Sequence, residues 1–189
     1  MHRLGRLSCT TSLRGSLSGR RLSISASGEK RKHYERRLLK FSPAHVYGVV
    51  SDTANYKEFV PWCKKSSVVT GEVDEGTSKN GEGMKKRFKS ELVVGFGMFE
   101  ERYTSDVVVD PGLSVSATSQ ETNLLEYLHT QWEFTPTKSD PNQCWVNFKV
   151  EFQFKSQLYN EFAGIFMNEV VSKMVGAFEE RCAALDKRK

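Results

Sequence analysis

What this sequence lacks narrows it before anything else does. It has four cysteines, Cys9, Cys63, Cys144 and Cys182, and no two stand at the C-x-x-C spacing of zinc and redox sites. So few, so far apart, they are expected as reduced thiols rather than a disulfide framework. No run approaches the roughly 20 apolar residues that span a bilayer. There is no Gly-rich phosphate loop, nucleophile elbow or zinc motif. The first 28 residues lack acid altogether, although the chain holds 23 acidic residues.

That last absence explains the net charge of +5. Arg3, Arg6, Arg14, Arg20 and Arg21 precede Glu29; setting those five aside from 28 basic residues leaves 23, equal to the acidic count. Residues 29–189 are therefore formally neutral. A domain that tracks nucleic-acid phosphates keeps a basic surplus, so no nucleic-acid partner is expected.

Residues 1–28 are rich in Arg and Ser, as matrix-targeting peptides are. Leu4 and Leu7 share one helical face beside Arg3 and Arg6. A secretory signal needs an unbroken apolar stretch of roughly 7–15 residues, which is missing. The expectation is a mitochondrial transit peptide over 1–28, cleaved between Leu22 and Glu29, followed by one domain over 29–189.

In that domain, residues 33–41 read as a strand running into a helix, with Ser42 as N-cap and Pro43 as first helical residue. A second short helix is expected over Thr53–Phe59. Strands are expected at Val68–Val73, Met84–Phe96, Met98–Val109, Leu113–Ser119, Leu125–Thr135 and 144–154. The last alternates most clearly, with Val146, Phe148, Val150, Phe152 and Phe154 on one face. Leu158–Lys187 reads as one helix with a stripe through Met167, Val171, Met174, Phe178 and Leu185. Strands joined by tight turns are antiparallel, and one apolar sheet face plus one long amphipathic helix must meet. The expected class is α+β: a curved antiparallel sheet of about six to seven strands around the C-terminal helix. Gly95 and Gly97 are candidates for the curvature.

The face turned to the helix is unusually aromatic. Large rings can fill a core or line a pocket for an apolar ligand, and periodicity alone leaves both open. Trp62 can stand at a pocket mouth or plug the space under the first helices. Cys63 can be redox-sensitive or a small buried hydrophobe. Glu101 shares strand parity with Tyr103 and points inward, unless a bulge at Gly95–Gly97 resets the register and leaves it solvated. Tyr103 can donate to a ligand carbonyl or serve as a core tyrosine. The histidines are dispersed, so no metal site is expected, and His129 is kept as a polar contact. Lys85-Lys86-Arg87-Phe88-Lys89 is either a solvated strand face or an attractor of anionic lipid.

Tyr56-Lys57-Glu58-Phe59-Val60-Pro61-Trp62-Cys63 resembles the mitochondrial coenzyme Q-binding family, within the START-like, polyketide cyclase/dehydrase-like superfamily. So do Leu92-Val93-Val94-Gly95-Phe96, Glu101–Val107 and Trp132-Glu133-Phe134, and the likeness spans nearly all of 30–187. The resemblance implies the helix-grip (START/Bet v 1-like) fold. It implies a non-enzymatic carrier or chaperone holding ubiquinone, as bound ligand rather than catalytic cofactor. It implies support of respiratory electron transport and quinone biosynthesis, with respiratory complexes or biosynthetic proteins as partners. The implied place is peripheral, on the matrix side of the mitochondrial inner membrane. Candidate lining residues are Trp62, Phe88, Leu92, Val94, Phe96, Tyr103, Trp132, Phe134, Phe148, Phe152, Phe162, Phe166 and Met174, with Glu101 and His129 as polar contacts. A cyclase- or aromatase-like enzyme on the same fold, using an acid–base pair such as Glu101 with Tyr103 or His129, is the alternative. A scaffold for biosynthetic proteins is the third reading.

Overall fold

A computed structural model describes residues 28–187 apart from positions 82, 97, 98 and 121; the side chains of Phe96, Phe99, Gln120, Leu158, Asn160 and residues 162–166 also fall outside the description. The expected leader lies outside the described residues, save Gly28. The order of elements is β1 (Arg31–Leu39), α1 (Pro43–Ser51), a 3-10 turn (Thr53–Glu58), β2 (Cys63–Val68), β3 (Val73–Thr77), β4 (Met84–Phe96), β5 (Phe99–Asp110), β6 (Ser114–Gln120), β7 (Leu125–Pro136), β8 (Cys144–Phe154) and α2 (Gln157–Asp186).

All eight strands join one antiparallel sheet, ordered β1-β8-β7-β6-β5-β4-β2, with β3 also on β4. The count exceeds the expected six to seven because Val68–Val73 is not one strand. Residues 69–72 connect two strands, β2 and β3, which share the outer edge of β4. Period-two reading missed β2 because a register shift between Cys63 and Lys65 breaks its alternation. Cys63 and Ser66 are buried while Lys64, Lys65 and Ser67 are exposed.

Of the two glycines expected to bend the sheet, Gly97 lies outside the described residues. Register shifts occur at Cys63/Lys65, Asp74/Gly76 and Leu125/Tyr127. The β4–β5 pairing runs without a shift from Lys86↔Val109 to Phe96↔Phe99, so Gly95 sits in regular strand.

Ser42 Oγ accepts the His45 amide hydrogen at 3.3 Å, and Pro43 opens α1, as the sequence predicts. Val46, Val49 and Val50 of that helix are buried. The second short helix is a 3-10 turn. The fully packed stripe of α2 is Val171, Val175, Phe178 and Cys182, spaced i, i+4, i+7 and i+11. Met167, Met174 and Leu185 pack beside it, partly buried. His45 Nε2 lies 2.9 Å from the Cys182 carbonyl oxygen and ties α1 to α2.

One end of the concave face is filled by rings. Trp132 lies 4.4 Å from Phe148 and 4.7 Å from Phe178, between ring centroids. Phe178 also meets Phe59 at 5.0 Å and Tyr56 at 5.2 Å, edge to face. This one helix residue therefore joins sheet, α2 and the 3-10 turn.

Candidate ligand-binding cavity

Between the concave face and α2 lies a cavity of about 380 Å³. The reason it is not filled is visible residue by residue. Central strands supply small inward side chains: Ser90 on β4, Ser105 and Val107 on β5, Val115 and Ala117 on β6. The rings sit to one side, on β7 and β8, as Trp132, Phe148, Phe152 and Phe154. Across the gap, α2 contributes Met167, Val170, Val171, Met174 and Phe178. The corner from the 3-10 turn into β2 closes a third side with Tyr56, Val60, Pro61, Trp62 and Cys63. The lining is overwhelmingly apolar, and the volume lies in the range of small-molecule sites, about 300–1,000 Å³.

Of the residues predicted to line a pocket, Trp62, Leu92, Val94, Tyr103, Trp132, Phe148, Phe152 and Met174 border this cavity. Phe88 and Phe134 do not. They are 5% and 2% exposed, packed in the solid core instead. Phe134 stands edge-on to Tyr47 of α1, 6.3 Å away, at the closed end. The side chains of Phe96, Phe162 and Phe166 lie outside the described residues.

Trp62 is the one non-glycine described with a positive φ, 62°. Its carbonyl accepts the Gly95 amide hydrogen at 2.9 Å, which pins the corner to β4. Lys173 of α2 brings its Nζ to 6.0 Å from the ring. The ring is therefore part of the cavity wall beside α2, rather than a plug beneath α1.

Cys63 is buried, and its thiol donates to the Lys65 carbonyl at 3.3 Å. Burial pushes the thiol up, away from the reactive thiolate. It packs as a small hydrophobe. The Tyr56 hydroxyl donates to the Val50 carbonyl. Tyr103 is different: among the described residues its phenol has no hydrogen-bond partner, and burial raises its pKa, with Cys63 and Glu101 adding to the effect.

Glu101 is inward and 5% exposed. The unbroken β4–β5 register keeps its parity with Tyr103, so the solvated alternative does not hold. Its Oε1 accepts the Leu124 amide hydrogen at 3.1 Å, and its Oε2 is buried without a partner. Glu101 does not itself border the cavity, but Val94 opposite it, Tyr103 two residues on and Leu125 beside its bonded amide all do.

His129 is misplaced by the sequence reading. It alternates with Leu128 and Thr130, which border the cavity, and so faces the other side of the sheet. There its Nδ1 lies 2.8 Å from Thr118 Oγ1 and its ring stacks on Tyr127. Burial lowers its pKa, opposed by nearby Glu151. Glu101 and His129 therefore form no acid–base pair. Among the described residues no cluster of His, Cys, Asp and Glu suits a metal ion.

The basic stretch of β4 is neutralised within the protein. Lys86 pairs with Glu72 at 2.6 Å, Arg87 with Glu75, Lys85 with Asp110 at 3.5 Å and Lys89 with Asp106 at 3.9 Å. This fits a solvated strand face better than a surface that attracts anionic lipid.

Sequence reasoning missed Val107, Val115, Ala117, Leu125, Leu128, Thr130, Val150 and Val171. A signal was present: small residues at inward parity on adjacent strands, which leave space where rings would fill it.

The polyketide cyclase/dehydrase and lipid transport family matches residues 39–179. The mitochondrial coenzyme Q-binding protein COQ10 homolog B of Xenopus laevis is 38% identical over 84% of this chain, which spans 61% of that protein's length. The mitochondrial coenzyme Q-binding protein COQ10 of Eremothecium gossypii is 33% identical, over 88% of this chain and 79% of its own. Among solved structures, the Zhui aromatase/cyclase from Streptomyces superposes with a TM-score of 0.67 at 12% identity, covering 82% of this chain and 94% of that one. That likeness concerns the fold alone. The chain belongs to the polyketide cyclase/dehydrase and lipid transport family, among its COQ10 proteins.

Proposed function

We propose that this chain binds ubiquinone or a closely related quinone lipid, as a non-catalytic carrier or chaperone. The observation that carries the reading is the apolar cavity of about 380 Å³ between the sheet and α2. Relatives named as coenzyme Q-binding proteins support the choice of ligand. Each CH₂ taken from water contributes about 0.8 kcal/mol, so a polyprenyl quinone gains from an apolar enclosure. The volume suits the ring and a short length of tail, and the rest of the tail stays in a membrane or a surface groove. Trp62, Leu92, Val94, Tyr103, Trp132, Phe148, Phe152 and Met174 form the ligand's surroundings, with the Tyr103 phenol as a polar contact.

The leader over 1–28 directs the chain to mitochondria, in keeping with the mitochondrial names of its relatives. No described helix is long and apolar enough to cross a membrane. The chain works peripherally at the matrix side of the inner membrane, passing quinone to respiratory complexes or to quinone-biosynthesis proteins.

Mass spectrometry of lipids co-purified with the full chain tests the reading. Quinone in near-stoichiometric amount is expected; protein that carries none, and that takes none up from quinone-loaded vesicles, overturns it. The buried Glu101 beside Tyr103 keeps a cyclase-like enzyme as a second reading. Turnover of a quinone precursor by the purified chain, lost in Glu101→Gln, would replace the carrier with that enzyme.

A further inference from the structure

Hydrogen-bonding groups are few in this cavity, and they are not spread evenly. On the concave face Ser90 of β4 stands directly opposite Ser105 of β5, and Leu92 stands opposite Tyr103. Side chains opposite one another in an antiparallel pair bring their Cβ atoms to about 4.5–5.5 Å. Ser119 of β6 falls on the row of Ser90 and Ser105, one step beyond the Asp106↔Thr118 pair. Three serines therefore lie side by side across adjacent strands. The next row, Phe88, Val107 and Ala117, is wholly apolar.

The three hydroxyls are not equivalent. Ser90 Oγ donates to the Ser67 carbonyl at 3.2 Å, so its hydrogen is engaged. Ser119 Oγ is buried without a partner, and Ser119 does not border the cavity. Ser105 does border it, and its hydroxyl makes no hydrogen bond to any described residue. The Tyr103 phenol, two residues along the same strand face, is likewise unbonded and also borders the cavity. Of the other hydroxyls at the cavity, Thr53 keeps its Oγ1 covered, and Thr130 stands apart on β7 between Ala117 and Val150. A serine or tyrosine hydroxyl left unbonded among apolar groups is costly, and a ligand oxygen that accepts its hydrogen removes that cost. The ring of a quinone carries such oxygens, which accept and cannot donate. The walls formed by Phe152 and Phe154 of β8 and by Met167 and Val170 of α2 offer no side-chain donor and suit a hydrocarbon tail.

We propose that Ser105, with Tyr103 beside it, is the headgroup anchor of the cavity: the oxygen-bearing ring lies against the β4–β5 wall, and the Ser105 hydroxyl donates to one of its oxygens. The inference rests on the quinone-lipid reading above and adds where the ring sits and which residue distinguishes it from plain hydrocarbon.

The test uses the purified full chain with two probes delivered from cyclodextrin: a ubiquinone analogue with a decyl tail, and decylbenzene, which keeps ring and tail without oxygen. Tryptophan fluorescence reports binding, because Trp62 and Trp132 border the cavity. Ser105→Ala removes an oxygen that bonds nothing described in the protein, so the fold is expected to stand. Its quinone affinity is expected to fall about threefold to tenfold, the effect of one neutral hydrogen bond, while decylbenzene binds as in the wild type. Thr130→Val is expected to leave quinone affinity within about twofold of the wild type. Unchanged quinone affinity in Ser105→Ala, or an equal loss for both probes, overturns the inference; so does a loss of about tenfold in Thr130→Val, which would place the ring on β7. A second measurement needs no variant. The infrared carbonyl stretch of quinone bound to the wild type is expected below its position in hydrocarbon solvent, and two unshifted carbonyls overturn the inference while leaving the quinone-lipid reading intact. A wild type that binds no quinone overturns both.

Discussion

The amide of Gly95 donates to the carbonyl of Trp62 at 2.9 Å, and Trp62 makes that bond from a left-handed backbone, φ 62°. A bulky residue in this conformation costs roughly 1–2 kcal/mol. The strain is held where the corner meets β4, at the cavity wall. Trp62→Gly is therefore expected to be more stable than Trp62→Ala by about 1 kcal/mol, since glycine enters this region freely. Denaturant unfolding of the two variants measures it. Both lose the ring, so both are expected to retain less quinone; equal stability of the pair would contradict the strain.

Phe178 touches Trp132, Tyr56 and Phe59 at once. Removing the ring leaves a hole beside an existing cavity and uncouples α2 from the 3-10 turn. Phe178→Ala is expected to cost about 3–5 kcal/mol, by urea unfolding. A loss below about 1 kcal/mol would mean that α2 is held mainly elsewhere.

Ala117 borders the cavity from β6. Ala117→Leu extends into empty apolar space, so folding stability should stay within about 1 kcal/mol of the parent. Quinone affinity should drop roughly tenfold, because the added carbons occupy ligand volume. The comparison separates loss of binding from loss of fold. Unchanged affinity would place the ligand outside this cavity.

On the convex face, Glu151 pairs with Lys149 at 2.7 Å, Lys30 at 3.1 Å and Lys32 at 3.2 Å. These lysines, Lys149 foremost, lower its pKa from 4.5 to about 2. A carboxylate depressed in the folded state stabilises it above the unfolded pKa and ceases to do so as pH falls through the folded one. The melting-temperature gap between wild type and Glu151→Gln should be full above about pH 4.5 and close toward pH 2. Carboxyl NMR of Glu151 should show the same low titration. A gap independent of pH would remove the ionic explanation.

How much was legible depended on whether a signal was local. The β8 alternation, the Ser42–Pro43 start of α1 and the long α2 all follow from neighbouring residues in the chain, and the structure has them in place. β2 was hidden because its register shift cancels the period and its residues are those of an exposed edge. Phe88 and Phe134 share parity with lining residues, so the sequence could not tell packed core from cavity wall. His129 was chosen for its proximity along the chain to Trp132, yet odd and even positions of one strand face opposite sides.

The sequence by itself determined an α+β chain with one apolar sheet face, one amphipathic helix to cover it and a neutral balance of charge beyond residue 28. Those properties follow from periodicity and composition, which add up residue by residue. Only the tertiary structure decided that the face leaves space beneath α2 and that Glu101 is buried. An empty volume is a difference between the room left by six or more elements and the side chains that enter it, and no single element carries that information. The inward turn of Glu101 likewise needed an unbroken β4–β5 register, because a one-residue slip would reverse every side chain after it.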